Sequence, residues 1–362
     1  MSQHSTAKIC SADDPSLAQL CVELARQSGT LDDGGGWPAR QLEWCAEQGV
    51  FEWFIDPAWG GQGWSEVDIV RGYLKLSAAC LTTSFVITQR TAACARIAAS
   101  ENDAVKTKLL PSLASGASFA TVAISHLTTS RRHFATPVLR AAESPHGFVL
   151  DGYSPWVTGA AHADVIVTGA TLDDGRQILL AAPQGIAGIV VSPPEKLVGL
   201  SASDTGRVEF HRAEISRDWL LAGPAENVMR LVSGSGTGGL TTSTLAVGLA
   251  DAAIEFLERE SCSRAELHEP SGALRGDWSV LRDDLLSSAA GRGNGSNDNL
   301  RTRANRLALR ASQAALAAAK GTGYVVGHPA GRWCREALFF LVWSCPQPVL
   351  ATHLCELAGL GD

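Results

Sequence analysis

Hydrophobic positions recur with two different periods along the chain. From Pro15 to about Lys108 the period is helical: Leu17, Leu20, Cys21, Leu24 and Ala25 fall three and four residues apart, on one stripe of a helix. Asp32 to Pro38, with Gly34, Gly35 and Gly36, reads as a loop. Pro38 suits the first turn of the next helix, which carries Leu42, Trp44 and Cys45. Trp59 to Gly63 is a second Gly-rich turn. Val67 to Ala79 and Thr83 to Ala99 are rich in Ala, Ile, Val and Leu, which predicts two buried central helices.

The texture changes near residue 117. Ser118 to Ser125, His146 to Tyr153, Val165 to Thr168, Gln177 to Ala182, Gly188 to Ser192 and Arg207 to His211 are short β-type runs separated by Gly, Pro, Asp and Ser. After Trp219 the helical period returns in Leu240 to Glu260, Trp278 to Ala290, Arg301 to Lys320 and Ala330 to Trp343, with a last helix ending near Leu357. Gly291 to Asn299 is a turn between the second and third of these. No internal repeat is visible. The pattern predicts an α+β fold in three parts: an N-terminal helical domain (1–117), a central β-barrel or sandwich (118–222) and a C-terminal helical bundle (223–362).

Composition narrows the function. A 45% hydrophobic, 19% charged chain can bury a sizeable core. A net charge of −7 argues against nucleic acid as a partner, because phosphate binding needs a basic footprint. No apolar stretch makes a convincing span of about 20 residues, so no membrane segment is expected. Met1 to Asp14 lacks a secretory pattern, and a cytoplasmic location is expected. Nine cysteines without CxxC spacing and nine histidines without an HExxH arrangement predict free thiols and no metal site.

Four stretches carry a resemblance that spans nearly the whole chain. They are Gly49-Val50-Phe51 with Pro57-Ala58-Trp59-Gly60-Gly61-Gln62-Gly63; Lys108-Leu109-Leu110-Pro111-Ser112-Leu113-Ala114-Ser115-Gly116; Tyr153-Ser154-Pro155-Trp156-Val157-Thr158-Gly159 through Ala163-Asp164; and Gly321-Thr322-Gly323-Tyr324 with His328-Pro329 and Arg335-Glu336-Ala337. The third is the most specific. Leu200 to Leu221 adds a weaker match to the strands that close a β domain. The sequence resembles the acyl-CoA dehydrogenase superfamily.

That resemblance implies an FAD flavoprotein acting on an acyl-CoA or acyl-carrier thioester. Trp156 would pack near the flavin ring and Thr158 would hydrogen-bond its N5 edge. The stretch Ile124 to Arg132 stands where the family has a Thr-Glu and a Gly-Ser-Asp element, and both are absent. Ser125, Thr128 and Thr129, with Ser130, can still meet flavin or substrate, and Arg131 and Arg132 either meet a diphosphate or form a solvated turn. Arg264 aligns with the family's cross-subunit diphosphate arginine, but Leu267-His268 replace the Phe-Gly that follows, which implies less firmly held FAD.

The largest departure concerns the base. The family's glutamate lies nine residues after the Arg of its R-D-A run, and nine residues after Arg335 stands Ser344. Serine has no useful basicity at neutral pH. The start of the helix at Leu240, where some relatives carry the acid instead, has none, and Asp251 and Glu255 do not match. Cys345, His126, His328 and His353 each have a bland structural reading, and Glu336 is expected to be structural. Gly234-Ser235-Gly236-Thr237-Gly238-Gly239 looks like a dinucleotide loop, but no strand precedes it, and it is read as a linker.

Three functions follow as alternatives: an acyl thioester dehydrogenase with its base unidentified, a monooxygenase of the same fold fed by a flavin reductase, or a non-catalytic ligand-binding homologue. The first would use an electron-transfer flavoprotein as acceptor. The apolar run Leu338 to Trp343 must be buried in the core or at an interface, and a homodimer or homotetramer is expected.

Overall fold

The computed structural model describes residues 7–32, 34, 36–128, 137–232, 239–293 and 295–360. Five helices come first: α1 (Pro15–Asp32), α2 (Ala39–Glu47), α3 (Glu66–Ala79), α4 (Leu81–Ala98) and α5 (Asp103–Ser115). The side chain of Ser65 caps α3 by accepting from the Asp68 amide, and Asn102 caps α5 by accepting from Val105. α5 runs on past Lys108 through Pro111 and stops at Gly116, which adopts φ 77°.

The middle of the chain forms β1 (Ala120–Ala123), a single helical turn α6 (Ser125–Thr128), then β2 (Leu139–Glu143), β3 (Gly147–Thr158), β4 (Val165–Thr171), β5 (Gln177–Pro183), β6 (Ile189–Val191), β7 (Thr205–Ser216) and β8 (Leu220–Ala225). They join in one eight-stranded sheet, in the order β6-β7-β3-β2-β4-β5-β8, with β1 paired in parallel to β4. Two strands escape the sequence reading. β2 is Leu-Arg-Ala-Ala-Glu, with no β-branched or aromatic residue to give a β signal, and β8 contains Pro224.

The strands next to β1 are buried on both faces. On β4 and β5, Val165, Val167, Leu179 and Ala181 turn towards α4 and α5, while Ile166, Ala170, Ile178, Leu180 and Ala182 fill a core on the opposite face. This is why Gln177 to Pro183 is nearly continuously apolar rather than alternating.

The C-terminal part comprises α7 (Leu240–Ser261), α8 (His268–Ala289), α9 (Asn297–Gly323), α10 (Pro329–Phe339) and α11 (Gln347–Leu357). By length and composition α7 could cross a membrane, but 72% of its most apolar window is buried within the protein. It packs closely on α3: a Cβ on Gly248 would lie 2.0 Å from Ser77 Oγ. One apolar core therefore fuses the N-terminal and C-terminal helices, from Leu17 and Leu76 to Leu245, Ala308 and Phe340. α4 belongs to this core at Phe85 and to the sheet-facing core at Ile97. The helix thus runs from one core to the other, and the functional cavity lies along it.

Candidate functional site

The segment read as most specific builds the site's floor. β3 gains one residue relative to β7 between Ser154 and Val157, a bulge that absorbs Pro155 and re-aims the next side chain. Trp156 stands 48% exposed on an otherwise well-buried strand. Thr158, two residues on, is buried, and its hydroxyl lies 2.8 Å from Thr205 Oγ1, which in turn lies 2.9 Å from Ser203 Oγ. The turn that follows needs Gly159, which has φ 64° and would place a Cβ 2.4 Å from the Trp37 ring. Trp37 also stacks on His162 at 4.2 Å, and Asp164 accepts from the Phe119 amide at 2.8 Å. The motif is therefore a strand, a bulge and a turn tied back to the helical domain and to the start of β1.

Trp156 and Thr158 line a cavity of about 1600 Å³. α4 contributes Phe85, Gln89 and Arg96; the turn at α6 contributes Ser125 and Thr128; the start of α7 contributes Leu240 to Thr242; and Arg335 to Ser344 close the far side. Ser125 Oγ is buried and has no hydrogen-bond partner among the described residues. Such an atom is costly to leave unpaired and suits a ligand's polar atom.

Ser344 reaches the wall through a turn after α10. Its φ of 45° is left-handed. Arg301, fully buried on α9, holds this turn by donating to the carbonyls of Phe340 at 3.2 Å and Trp343 at 2.8 Å. Asn305 donates to the Phe340 carbonyl at 2.9 Å. Phe339 and Trp343 stack on each other, and both meet the edge of Phe85. Burial raises the Cys345 thiol above its ordinary value, against the pull of Arg301, so that it is a neutral thiol.

Of the residues singled out from the sequence, Ser125, Thr128, Trp156, Thr158 and Ser344 share this one cavity. Arg264 does not line it. Its guanidinium donates to the Ala318 carbonyl at 2.6 Å and pairs with Glu266 at 3.1 Å and Glu260 at 3.6 Å. Thr129, Ser130, Arg131, Arg132 and most of the Gly234–Gly239 run lie outside the described residues. His126 is buried with Nε2 2.8 Å from the Gly169 carbonyl, and burial pulls its pKa down to about 4. Glu336 is buried 3.7 Å from Arg332, and burial pushes its carboxyl up to about 7. Arg335 pairs with Asp32 of α1. Among the described residues no group of three His, Cys, Asp or Glu could hold a metal ion, and all nine cysteines are free.

Sequence reasoning missed Arg96, Glu66, Gln89, Glu226 and Arg335 as wall residues. Cavity lining by α4 carries no motif. The one available signal is Arg96, the single charged residue that α4 places on the wall, beside Thr88, Gln89 and Thr91.

Residues 19–117 match the acyl-CoA dehydrogenase N-terminal domain. A probable acyl-CoA dehydrogenase of Bacillus subtilis (strain 168) is 23% identical over 341 residues, spanning 87% of this chain and 88% of that protein. The chain belongs to the acyl-CoA dehydrogenase family. The cyclohex-1-ene-1-carbonyl-CoA dehydrogenase of Syntrophus aciditrophicus is 18% identical and covers 89% of the chain and 83% of the relative. The fold matches butyryl-CoA dehydrogenase from Megasphaera elsdenii with a TM-score of 0.80 at 16% identity, over 95% of this chain and 97% of that one. A glutaryl-coenzyme A dehydrogenase complex gives 0.80 at 18% identity, over 96% of each. The family is one of FAD-dependent oxidoreductases, and the helix–sheet–helix order of this chain is the acyl-CoA dehydrogenase fold.

Proposed function

We propose that this chain is a flavin-dependent oxidoreductase acting on the CH–CH group of an acyl thioester, carried on CoA or on a carrier protein. The observation that carries the reading is the convergence of Ser125, Thr128, Trp156 and Thr158 with Ser344 on one cavity. Its volume of about 1600 Å³ exceeds the roughly 300–1,000 Å³ of a single small-molecule pocket, and so suits a cofactor and a substrate side by side. The named substrates of the relatives, all acyl-CoA thioesters, support the substrate class.

The wall fits FAD. Trp156 offers a flat apolar face open to the cavity, and Ser125 offers an unpartnered buried hydroxyl. A bound flavin supplies the hydride acceptor. Thr158 is oriented by Thr205, and its hydroxyl keeps further hydrogen-bonding capacity because a hydroxyl has one donor and two acceptor sites. The aromatic cluster of Phe85, Phe339 and Trp343 gives the cavity an apolar wall beside Ser344. Neither Ser344 nor the neutral Cys345 thiol can take a proton from substrate. The carboxylates on the described part of the wall are Glu66 and Glu226, and these are the groups to test as the base. The fold also matches a structure from work on the electron transferring flavoprotein of Acidaminococcus fermentans, with a TM-score of 0.82 at 18% identity, and the electron partner suggested by the family is an electron transferring flavoprotein.

A second reading is a monooxygenase supplied with reduced flavin by a reductase. One observation favours it: Arg264 is already neutralised by Glu260 and Glu266, which leaves it less charge to hold a diphosphate. An absorbance spectrum of the purified protein, followed by anaerobic titration with acyl-CoAs of graded length, separates the two. Bound flavin that bleaches with an acyl-CoA supports the dehydrogenase. Protein that retains no FAD but consumes oxygen with NAD(P)H and a flavin reductase supports the monooxygenase. Neither behaviour leaves a ligand-binding homologue.

A further inference from the structure

Four arginines are buried among the described residues, and three of them fasten the fold. Arg90 donates to the Leu113 carbonyl and lies over the Phe51 ring. Arg301 holds the carbonyls of Phe340 and Trp343. Arg332 faces Glu336 across one helical turn. The fourth, Arg96, does none of this. It is 8% exposed and lines the cavity, and among the described residues its only hydrogen bond runs from Nη1 to the Ala92 carbonyl of its own helix, at 2.8 Å. Among the described residues its Nε, like the Nε of Arg90 and of Arg301, is buried without a partner.

No carboxylate of the described residues comes within ion-pair distance of Arg96, although Glu66 and Glu226 share its cavity. The stretches 129–136 and 233–238 contain no Asp or Glu, so neither can supply one. With so little exposure, the guanidinium does not reach bulk water as a surface arginine would. A buried, unpaired guanidinium is among the more unfavourable arrangements a protein can hold, and an arriving oxyanion relieves it with two parallel hydrogen bonds.

We propose that Arg96 forms an oxyanion-binding subsite within the cavity, which receives a carboxylate or phosphate carried by the substrate. Arg96 lies eleven residues beyond Phe85, about 16 Å along α4 at 1.5 Å per residue. Phe85 touches Phe339 and Trp343 beside Ser344. The subsite is therefore remote from the Ser344 turn and sets which substrate is held, not the chemistry. Two sources match this chemistry: a carboxylate on the far end of the acyl chain, or a phosphate of the carrier. This proposal rests on the cavity being an acyl thioester site, and its test reads binding instead of flavin reduction.

The experiment is calorimetric titration of the whole protein and its Arg96→Met and Arg96→Lys variants with four probes: an ω-carboxyacyl-CoA, the alkyl acyl-CoA of equal length, CoA itself and the matching S-acyl pantetheine. If the carboxylate is read, Arg96→Met weakens the ω-carboxyacyl-CoA at least roughly tenfold and leaves the alkyl compound alone. If the carrier phosphate is read, it weakens all three CoA compounds alike and spares the pantetheine ester. In either case Arg96→Lys, which keeps the charge, recovers part of the loss. Arg96→Met should also melt no lower than the parent, since an apolar side chain replaces an unpaired buried charge. A folded Arg96→Met that binds every probe as the parent does overturns the subsite and leaves the thioester reading intact. A parent protein that binds none of the four overturns both.

Discussion

Arg301 Nη2 lies 2.8 Å from the carbonyl oxygen of Trp343, the residue immediately before Ser344. α9 thus reaches across to hold the turn that brings the end of α10 to the cavity wall. Because Arg301 is fully buried, no water competes for that bond, and Ser344 keeps its left-handed backbone.

Replacing Arg301 with Met should loosen that turn more than it weakens the fold. The substitution orphans the Trp343 carbonyl, while Asn305 still serves Phe340. It also removes two buried nitrogens, Nε and Nη1, that have no partner. The lost and relieved terms are each about 1–3 kcal/mol, and they oppose one another. The unfolding midpoint should therefore move little. Hydrogen exchange at the amides of Leu341 to Trp343 should accelerate, and any flavin reduction by acyl-CoA should slow by about 10- to 100-fold. A large drop in global stability with unchanged exchange in the turn would contradict this division of labour.

Ser125→Ala tests the cofactor wall from the opposite direction. Its hydroxyl is buried and unpartnered, so its loss should leave the ligand-free protein as stable as before or more so, by up to about 1 kcal/mol. If the hydroxyl serves FAD, the variant retains less flavin after gel filtration, seen in the ratio of visible to ultraviolet absorbance. Equal retention would assign Ser125 to the fold alone.

Two buried groups give the stability curve opposite slopes. His126 has its pKa pulled down to about 4 by burial, from an ordinary 6.5. The unfolded chain binds the proton more readily, so this contribution is complete above pH 6.5 and is lost as the pH falls towards 4, by roughly 3 kcal/mol at most. Glu336 has its carboxyl pushed up to about 7, from an ordinary 4.5. Here the folded chain binds the proton more readily, so its contribution is complete below pH 4.5 and is lost as the pH rises through 7. Denaturation of His126→Gln should lose the acid-side slope, and Glu336→Gln the slope between pH 4.5 and 7. A variant curve parallel to the parent's would remove that group from the explanation.

The parts of the site legible in the sequence are those with local geometry. Trp156, Thr158, Gly159 and Asp164 are readable because a strand, a bulge and a turn must each have their own residue type in order. The helical, strand and helical regions are legible in the same way, because burial imposes its period on most elements, although β2 and β8 carry no such signal. The helical period is legible to about Lys108, and α5 runs on from there through Pro111 to Ser115. Arg96 was not legible. Its meaning depends on which groups are missing around it, and these are set by α4, β1 and the chain after β8 together. The apolar run Leu338 to Trp343 divides in a way no linear pattern shows: Phe340 is fully buried, while Leu338 is 47% and Val342 76% exposed.

Leu354, Leu357 and Leu360 on and after α11 are exposed, and apolar side chains left bare in this way favour self-association. Light scattering should give a dimer or tetramer mass. Leu357→Glu, at an exposed position, should reduce it to that of one chain, with the far-ultraviolet circular dichroism unchanged. A parent protein that scatters as a single chain would refute the expectation outright.

Ser344→Glu asks whether the cavity still has the geometry of a dehydrogenase. The substitution sets a carboxylate on the wall that holds Trp156 and Thr158, at a position whose left-handed backbone disfavours it by on the order of 1 kcal/mol. A positioned general base contributes about 10²–10⁴ in rate. If the wall orients an acyl thioester for proton removal at this point, anaerobic bleaching of bound flavin by acyl-CoA should accelerate by a factor within that range. Ser344→Gln, equal in size but without basicity, should not accelerate it. A flavin-loaded Ser344→Glu protein with no gain would place the reacting carbon elsewhere in the cavity. Glu66→Gln and Glu226→Gln would then be the informative variants, since a true base among them should cost the parent protein a comparable factor.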